Sequence, residues 1–312
     1  MRLASLALAT MLALAAPARA EPLHDAVDAY VLFQNDVTDL LSAGITDEAQ
    51  MNQALILAAR HDPQRVASGR IAYGALTASQ SPAFVNGVRS RVRNAGRAPV
   101  IRQLRRDIAY ARNRPPGSGE AIQLILSSSA ADNARLAAAS HRFNGLGTSL
   151  ASLTPHGDSA ARDRRHVELS ALAGVRRGVD AALAPRVHPM ALTATPLTDP
   201  TAFGGRRFWD ALGNRASPTP PAFTWRETSS GANTVNRMLT LAGLYVVGAT
   251  DSESARITEM LSDRRTSECL ATEQLQLRQC TSVSASANED AYCIARHGLE
   301  GPAACLALAI AP

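Results

Sequence analysis

The sequence predicts an all-α protein whose last helices form a hairpin clamped by two disulfide bonds. Aromatic residues make up only 4% of the chain, while alanine and leucine, which favour helices, are abundant and stretches rich in β-branched residues are few. Apolar residues recur at helical spacing along much of the chain. All four cysteines lie between position 269 and the C-terminus.

The first twenty residues have the pattern of an export signal. Arg2 precedes an apolar run from Leu3 to Ala16, and Ala18-Arg19-Ala20 offers the small residues that a signal peptidase accepts. The run is shorter than the roughly 20 residues that span a bilayer. We therefore expect removal of residues 1–20 and a periplasmic or secreted mature chain without a transmembrane segment.

Residues 21–183 are predicted to form an N-terminal helical region. Amphipathic spacing places helices over about 24–41, 98–112, 120–142 and 159–183. Further helices are predicted to begin at Thr46 as an N-cap, at Pro63, and at Ser81-Pro82. Three serines at 127–129 mark a candidate break in one long helix, and residues 115–119 form a loop.

Residues 184–229 are expected to be irregular, and residues 230–312 to form a C-terminal helical region. Seven prolines between positions 185 and 221 exclude long helices there, because proline lacks an N–H and fixes φ. Trp209 and Trp225 belong to this segment, which favours packing onto the core over a free linker. Residues 21–312 are therefore predicted to form one domain, with a buried helix at about 238–249.

The cysteine spacing predicts a nested pairing. Cys269 and Cys280 would face the same way on a helix but lie about 16 Å apart, whereas a disulfide needs Cα atoms within ~7 Å. Residues 281–292 can reverse the chain, so that Cys269 pairs with Cys305 and Cys280 with Cys293. Gly301-Pro302 is predicted to interrupt the second helix. A zinc site or free thiols are the alternatives, but no CxxC or CxxH spacing is present.

All 32 basic residues are arginine, which excludes every mechanism that requires a lysine. The segment 89–114 contains nine of them and a single acid, Asp107. Because each guanidinium is a planar fork that matches phosphate or carboxylate, this segment is a candidate anion-binding surface. The alternative is a merely solvated face. The candidate residues are Arg89, Arg91, Arg93, Arg97, Arg102, Arg105, Arg106, Arg112 and Arg114.

The sequence contains few features that indicate catalytic activity. No G-x-S-x-G, H-E-x-x-H, Walker or Rossmann pattern is present. The group His156, Asp158, Asp163 and His166 is interspersed with arginines that repel a cation, and its imidazoles are ten residues apart, so no metal or other cofactor is expected. The acid pairs Asp25/Asp28 and Asp36/Asp39 could catalyse glycan hydrolysis only if their two carboxyl groups lay at the fixed separation that this reaction requires. His297 is predicted to be a packing or capping residue.

These observations favour an exported, non-catalytic cell-envelope protein that binds a macromolecular or anionic-surface partner through its arginines. The partner would be a lipid, a lipopolysaccharide, an acidic glycan or another envelope protein. Sequence-specific nucleic-acid binding is not expected, because Tyr110 is the only aromatic residue in the segment. The alternative is an envelope hydrolase acting on a glycan or peptide, for which the sequence locates no catalytic residues.

Overall fold

The computed structural model describes residues 22–150, 159–172, 226–228, 231–307 and 310–311. The predicted signal peptide and almost all of residues 184–229 lie outside these ranges. The regular secondary structure of the described residues is helical apart from one short strand pair, which confirms the predicted class. In chain order the elements are α1 (Pro22–Ser42), α2 (Glu48–Ala59), α3 (Pro63–Ala78), α4 (Pro82–Ala95), α5 (Arg97–Arg106), α6 (Tyr110–Asn113), α7 (Ser118–Asn144), α8 (Gly147–Leu150), α9 (Ser159–Leu172), β1 (Arg226–Glu227), α10 (Ala232–Val246), α11 (Ser254–Leu261), α12 (Arg264–Val283), α13 (Ala287–Cys293), a π-helix (Ile294–Glu300), α14 (Gly301–Leu306) and β2 (Ile310–Ala311).

Helix α3 lies at the centre of the described core. Helices α1, α7, α10 and α12 all pack against it, and every residue from Gly69 to Ala78 is buried. Gly69 allows a close approach to α1, because a Cβ at this position would collide with the backbone oxygen of Ala26 and with Tyr30. A helical segment that is surrounded on all sides becomes apolar all round, which explains the sequence of α3 after Arg70, whereas its first turns retain polar residues.

The starts of α2, α3 and α4 follow local capping chemistry. Asp62 and Ser81 cap α3 and α4 by accepting hydrogen bonds from the backbone N–H groups of Arg65 and Phe84, with a proline at the next position in each case. The predicted cap of α2 is wrong by one residue. Asp47 accepts from the N–H of Gln50 at 2.8 Å, while Thr46 bonds the Gln50 side chain.

The predicted helix over 98–112 is divided in two. Asp107 has an extended backbone, and its carboxylate accepts the N–H of Ala109 at 2.9 Å, a local bond that competes with the helical pattern. Helix α5 therefore ends at Arg106 and α6 begins at Tyr110.

The candidate break at 127–129 is absent, and α7 is continuous through these serines. Ser127 donates to the carbonyl of Leu124, and Ser128 donates to the hydroxyl of Tyr73 in α3. Both hydroxyl groups thus find partners without opening the helix.

The helix predicted from Met238 is α10, whose residues Met238 to Leu244 are all buried. In the part of the chain that the structure describes, no helix combines the length and the apolar character needed to cross a membrane.

The C-terminal hairpin has the nested disulfides. Cys269 is bonded to Cys305 and Cys280 to Cys293, with Cα–Cα distances of 5.6 and 5.7 Å. The predicted interruption at Gly301-Pro302 is wrong, because α13, the π-helix and α14 follow one another without a gap. Pro302 lies in the first turn of α14, directly after the π-helix, so its missing N–H falls where the helical hydrogen-bonding pattern changes.

Candidate functional site

The nine arginines predicted to bind anions lie on α4, α5 and α6 and directly after α6. Eight of these side chains are exposed, and Arg112 is half-buried. Helix α5 packs against both α4 and α6, and all three helices pack against α10. The structure therefore brings the arginine-bearing helices together on one part of the molecule. We call the surface formed by residues 89–114 the arginine surface.

Three of these arginines hold the fold together. Arg91 donates twice to the carbonyl of Arg114, at 3.0 and 2.6 Å. Arg97 donates to the carbonyls of Val247 and Gly248 after α10. Arg112 donates to the side chain of Asn236 in α10. Their hydrogen-bonding capacity is therefore partly used within the protein.

Five arginines have no such role. Among the described residues, no carboxylate or hydrogen-bond acceptor pairs with the guanidinium groups of Arg89, Arg93, Arg102, Arg106 and Arg114. The remaining arginine, Arg105, is exposed and reaches only a 4.0 Å contact with Glu253. We call the first five the free arginines. They leave a concentration of positive charge that the surrounding described residues do not neutralise.

Two glycines lock α4 to the turn before α7. A side chain at Gly87 would collide with the backbone oxygen of Pro116, and one at Gly117 would collide with the backbone of Ala83. Gly117 also has a φ of +83°, in the left-handed region that glycine tolerates best. This backbone contact and the Arg91 bonds fix the two ends of the arginine surface against each other.

A second polar group surrounds Asp36 in α1. Asp36 is 1% exposed, and Arg60 approaches both of its carboxylate oxygens. His61 Nε2 lies 3.0 Å from Asp36 Oδ2, although this approach lacks the angle of a good hydrogen bond. Burial alone would raise the pKa of Asp36, but the contacts with His61 and Arg60 outweigh it and lower the pKa.

A second histidine–carboxylate contact lies across a small cavity from the first. His297, in the π-helix, places Nδ1 3.1 Å from Glu273 Oε2. Gln274 donates to the carbonyls of Ala59 and His61 at 2.9 and 2.6 Å, which ties α12 to the α2–α3 corner. His297 thus contributes to packing, as predicted, and it also contacts a carboxylate.

The cavity between His61 and His297 has a volume of about 30 Å³ and is otherwise lined mostly by apolar groups, including Phe33, Leu270 and Leu277. This volume holds one or two water molecules and is far below the ~300–1,000 Å³ of a typical ligand pocket. Within the described ranges, no group of three or more His, Cys, Asp or Glu side chains is arranged to hold a metal ion. We interpret the two histidine contacts as structural.

A larger cleft lies between α1, α3 and α11. It has a volume of about 540 Å³, and its lining includes Asp25, Asp62, Arg65, Ser68 and Thr258. Carboxylates, hydroxyls and a guanidinium thus converge on a space large enough for a small organic ligand. The cleft joins residues that are far apart in the chain, so sequence spacing could not reveal it.

A buried polar network links α1, α3 and α7. Tyr30 donates to Asp132 at 2.9 Å, and Arg135 donates to Asp132 and Gln34 at 3.2 and 3.1 Å. Burial, followed by the negative charge of Asp132, raises the pKa values of Tyr30 and Tyr73. Both phenols therefore stay neutral at ordinary pH, which suits a structural network rather than a nucleophile.

The other candidates from the sequence do not assemble into one site. His156 and Asp158 lie outside the described residues, while Asp163 is exposed and His166 is half-buried on α9. The pair Asp36/Asp39 does not offer two available carboxylates, because Asp36 is bonded to Arg60. Asp36 interrupts the apolar stripe of α1. This interruption is the one feature of the sequence that could have indicated the contacts of Asp36 with Arg60 and His61, which we call the Asp36 group.

No protein-family model matches the chain, and no curated protein or solved structure matches it significantly.

Proposed function

We propose that the chain is an exported, non-catalytic cell-envelope protein that binds an anionic surface through the arginine surface. The observation that carries this proposal is the set of five free arginines, which have no carboxylate partner in the described part of the chain. An exposed arginine that makes no internal contact adds little to stability, so its fork stays available to an external anion.

The arginines of this surface include structural ones and free ones, and this distinction supports the proposal. Arg91, Arg97 and Arg112 bond backbone or side-chain acceptors in the protein, and so they hold the helices that present the free arginines. A surface whose cations only improved solubility would not need such a rigid support. Because these bonds fix the helices, less backbone freedom is lost when the free arginines bind an anion.

The arginine surface lacks exposed aromatic and large apolar side chains, and this indicates the kind of partner that it binds. Tyr110 is half-buried, so the arginine surface has no exposed aromatic ring on which a nucleobase could stack. The exposed large apolar side chains of the described residues, at positions 167, 275, 283 and 292, all lie on other helices. These features support electrostatic docking onto an anionic lipid, lipopolysaccharide or acidic glycan without apolar insertion.

Export is part of the proposal and rests on the signal-like N-terminus and on the cysteines. Disulfides persist in oxidising compartments and are rare in a reducing cytosol. Both bonds of the C-terminal hairpin are formed in the structure, and it leaves no free cysteine in the described residues.

The test compares two variants of equal charge. In the first, all five free arginines are changed to glutamine. In the control, five arginines outside the surface are changed: Arg164→Gln, Arg264→Gln, Arg265→Gln, Arg278→Gln and Arg296→Gln. Binding to phosphatidylglycerol vesicles is measured by sedimentation over a series of salt concentrations, with circular dichroism to verify folding.

We expect the free-arginine variant to lose most of its vesicle binding and its salt dependence, since each arginine near an anionic membrane contributes about 1 kcal/mol, or roughly five-fold in affinity. The control should retain most of its binding. Equal losses in both variants would show that net charge, and not the arginine surface, determines binding, and would refute the proposal.

The second candidate is an envelope hydrolase that acts on a glycan or peptide. It is favoured by the cleft of about 540 Å³, where Asp25 and Asp62 supply two carboxylates, the residue type that glycoside hydrolysis requires. Asp62 also caps α3, so Asp25→Asn is the cleaner variant. Hydrolysis of peptidoglycan by the wild type, abolished in Asp25→Asn, would support this candidate; an inactive wild type would exclude that substrate.

A further inference from the structure

We propose that the arginine surface recognises lipid-borne phosphomonoester groups, each held by two free arginines one helical turn apart. This inference rests on the proposed function and specifies the chemistry of its partner. It is carried by the arrangement of the free arginines within α4 and α5.

Four of the five free arginines form two pairs with the same spacing. Arg89 and Arg93 lie four residues apart in α4, and Arg102 and Arg106 lie four residues apart in α5. All four side chains are exposed. Residues at this spacing are neighbours on one helix face, with Cβ atoms about 5–6 Å apart. Two long guanidinium-bearing side chains at that distance can converge on a single anion.

The charge of each arginine pair indicates which class of anion it binds best. Two arginines supply two positive charges, and a phosphomonoester carries about −1.5 to −2 at neutral pH. A phosphodiester or a carboxylate carries a single negative charge and would leave one guanidinium uncompensated. Phosphomonoester oxygens also accept the forked N–H groups of arginine in parallel bonds.

The duplication of the pair favours a surface over a free anion. One phosphate ion can occupy only one pair, whereas a lipid layer presents many headgroups at once. Because α4 and α5 pack against each other, the two pairs lie on adjacent helices, and the proposal requires that one lipid layer reaches both. The second contact then benefits from a high effective concentration.

The pairs are unfavourable for the isolated protein. Like charges four residues apart destabilise a helix, and no carboxylate offsets Arg89, Arg93, Arg102 or Arg106 among the described residues. A bound dianion would remove this repulsion. Arg93 and Arg106 also lie in the last turns of α4 and α5, where a positive charge interacts favourably with the helix dipole. Because the two effects oppose each other, we expect Arg93→Gln combined with Arg106→Gln, which leaves one arginine in each pair, to weaken binding with little change in melting temperature.

The test uses phosphatidylcholine vesicles that contain either phosphatidic acid, a phosphomonoester, or phosphatidylglycerol, a phosphodiester, matched in zeta potential. Wild type should bind the phosphatidic acid vesicles several-fold more tightly. The variant Arg93→Gln/Arg106→Gln should lose this preference. The matched control Arg264→Gln/Arg265→Gln, which removes two exposed arginines from α12, should keep it.

Acidification provides an independent readout. The second ionisation of a phosphomonoester has a pKa of about 6, whereas arginine stays charged. The helices α4, α5 and α6 contain no histidine and no acid. Asp107 lies between α5 and α6, and Glu253 and Glu120 approach Arg105 and Ser81 from neighbouring elements. The preference should therefore disappear as the pH falls through about 6.

The outcomes separate this inference from the proposed function. Equal binding of wild type to both vesicle types would overturn the phosphomonoester inference and leave the anionic-surface proposal standing. No binding to either vesicle type would overturn the phosphomonoester inference and would exclude these lipids as partners, which leaves lipopolysaccharide and acidic glycans for the proposed function. Competition by inorganic phosphate at concentrations comparable to the lipid phosphate would show that the ligand is a free anion and would overturn the assignment to lipid.

Discussion

Asp36 is an acid on a stripe of α1 that is otherwise apolar, between Phe33 and Leu40, both of which are buried. Its carboxylate is compensated by Arg60, which is 24% exposed, and by His61. Burying a charge is unfavourable unless it is paired. The Asp36 group therefore stabilises the corner between α2 and α3, and a neutral residue at position 36 would leave Arg60 without its partner.

The lowered pKa of Asp36 predicts a pH-dependent part of the stability. Its carboxylate is easier to ionise when folded, so its contribution is present above the unfolded pKa of about 4 and is lost as the pH falls through the lower folded pKa. Asp36→Asn should reduce the free energy of unfolding at pH 7 by roughly 2–4 kcal/mol, somewhat less than for a fully buried pair because Arg60 is partly solvated. It should also show a smaller loss of stability on acidification.

Urea unfolding from pH 7 down to pH 2 measures both effects. Asp25→Asn, an exposed acid on the same helix, is the matched control and should behave like the wild type. If Asp36→Asn and the wild type lose stability in parallel on acidification, the ionised Asp36 does not contribute as we describe.

At the scale of elements, the C-terminal hairpin depends on its two disulfides to different extents. The bond between Cys269 and Cys305 closes a sequence separation of 36 residues, and that between Cys280 and Cys293 closes one of 13. In the chain-entropy model, removing the longer link costs about 4 kcal/mol and the shorter about 3 kcal/mol. The longer link also joins α12 to α14, far from the turn.

We therefore predict that Cys269→Ser/Cys305→Ser lowers stability more than Cys280→Ser/Cys293→Ser does. Thermal unfolding with and without reductant measures the difference, and the two variants control for each other. Hydrogen exchange should show that α14 loses protection first when the wild type is reduced. Four titratable thiols in the native protein before reduction would contradict the disulfide assignment.

The starts of α3 and α4 and the cysteine ladder could be predicted from sequence because they depend on capping residues and on the rise of a helix. Ser81 can bond the N–H of Phe84 whatever the rest of the fold does. Asp107 shows the limit of this reasoning: helical periodicity continues through it, but its side chain captures the N–H of Ala109 and ends α5. Hydrophobic periodicity alone does not reveal a side chain that competes in this way for a backbone N–H.

At the scale of the whole molecule, the distinction between free and structural arginines could not be predicted. Arg97 and Arg102 are chemically identical members of one basic segment. Only the fold places the carbonyls of Val247 and Gly248, 150 residues further on, beside Arg97. The cleft between α1, α3 and α11 and the cavity beside His297 depend on the same long-range packing. Composition identifies the charged segment, whereas tertiary structure determines which of its charges remain available.

The turn at residues 284–286 lies inside both disulfide-closed loops, because Cys269 and Cys280 precede it and Cys293 and Cys305 follow it. Ala285, in this turn, is exposed. A protease that nicks the backbone there would produce two polypeptides that still migrate together, joined at two points, until a reductant separates them. For a protein in an environment that contains proteases, a severed peptide bond at this position would not release the final helices.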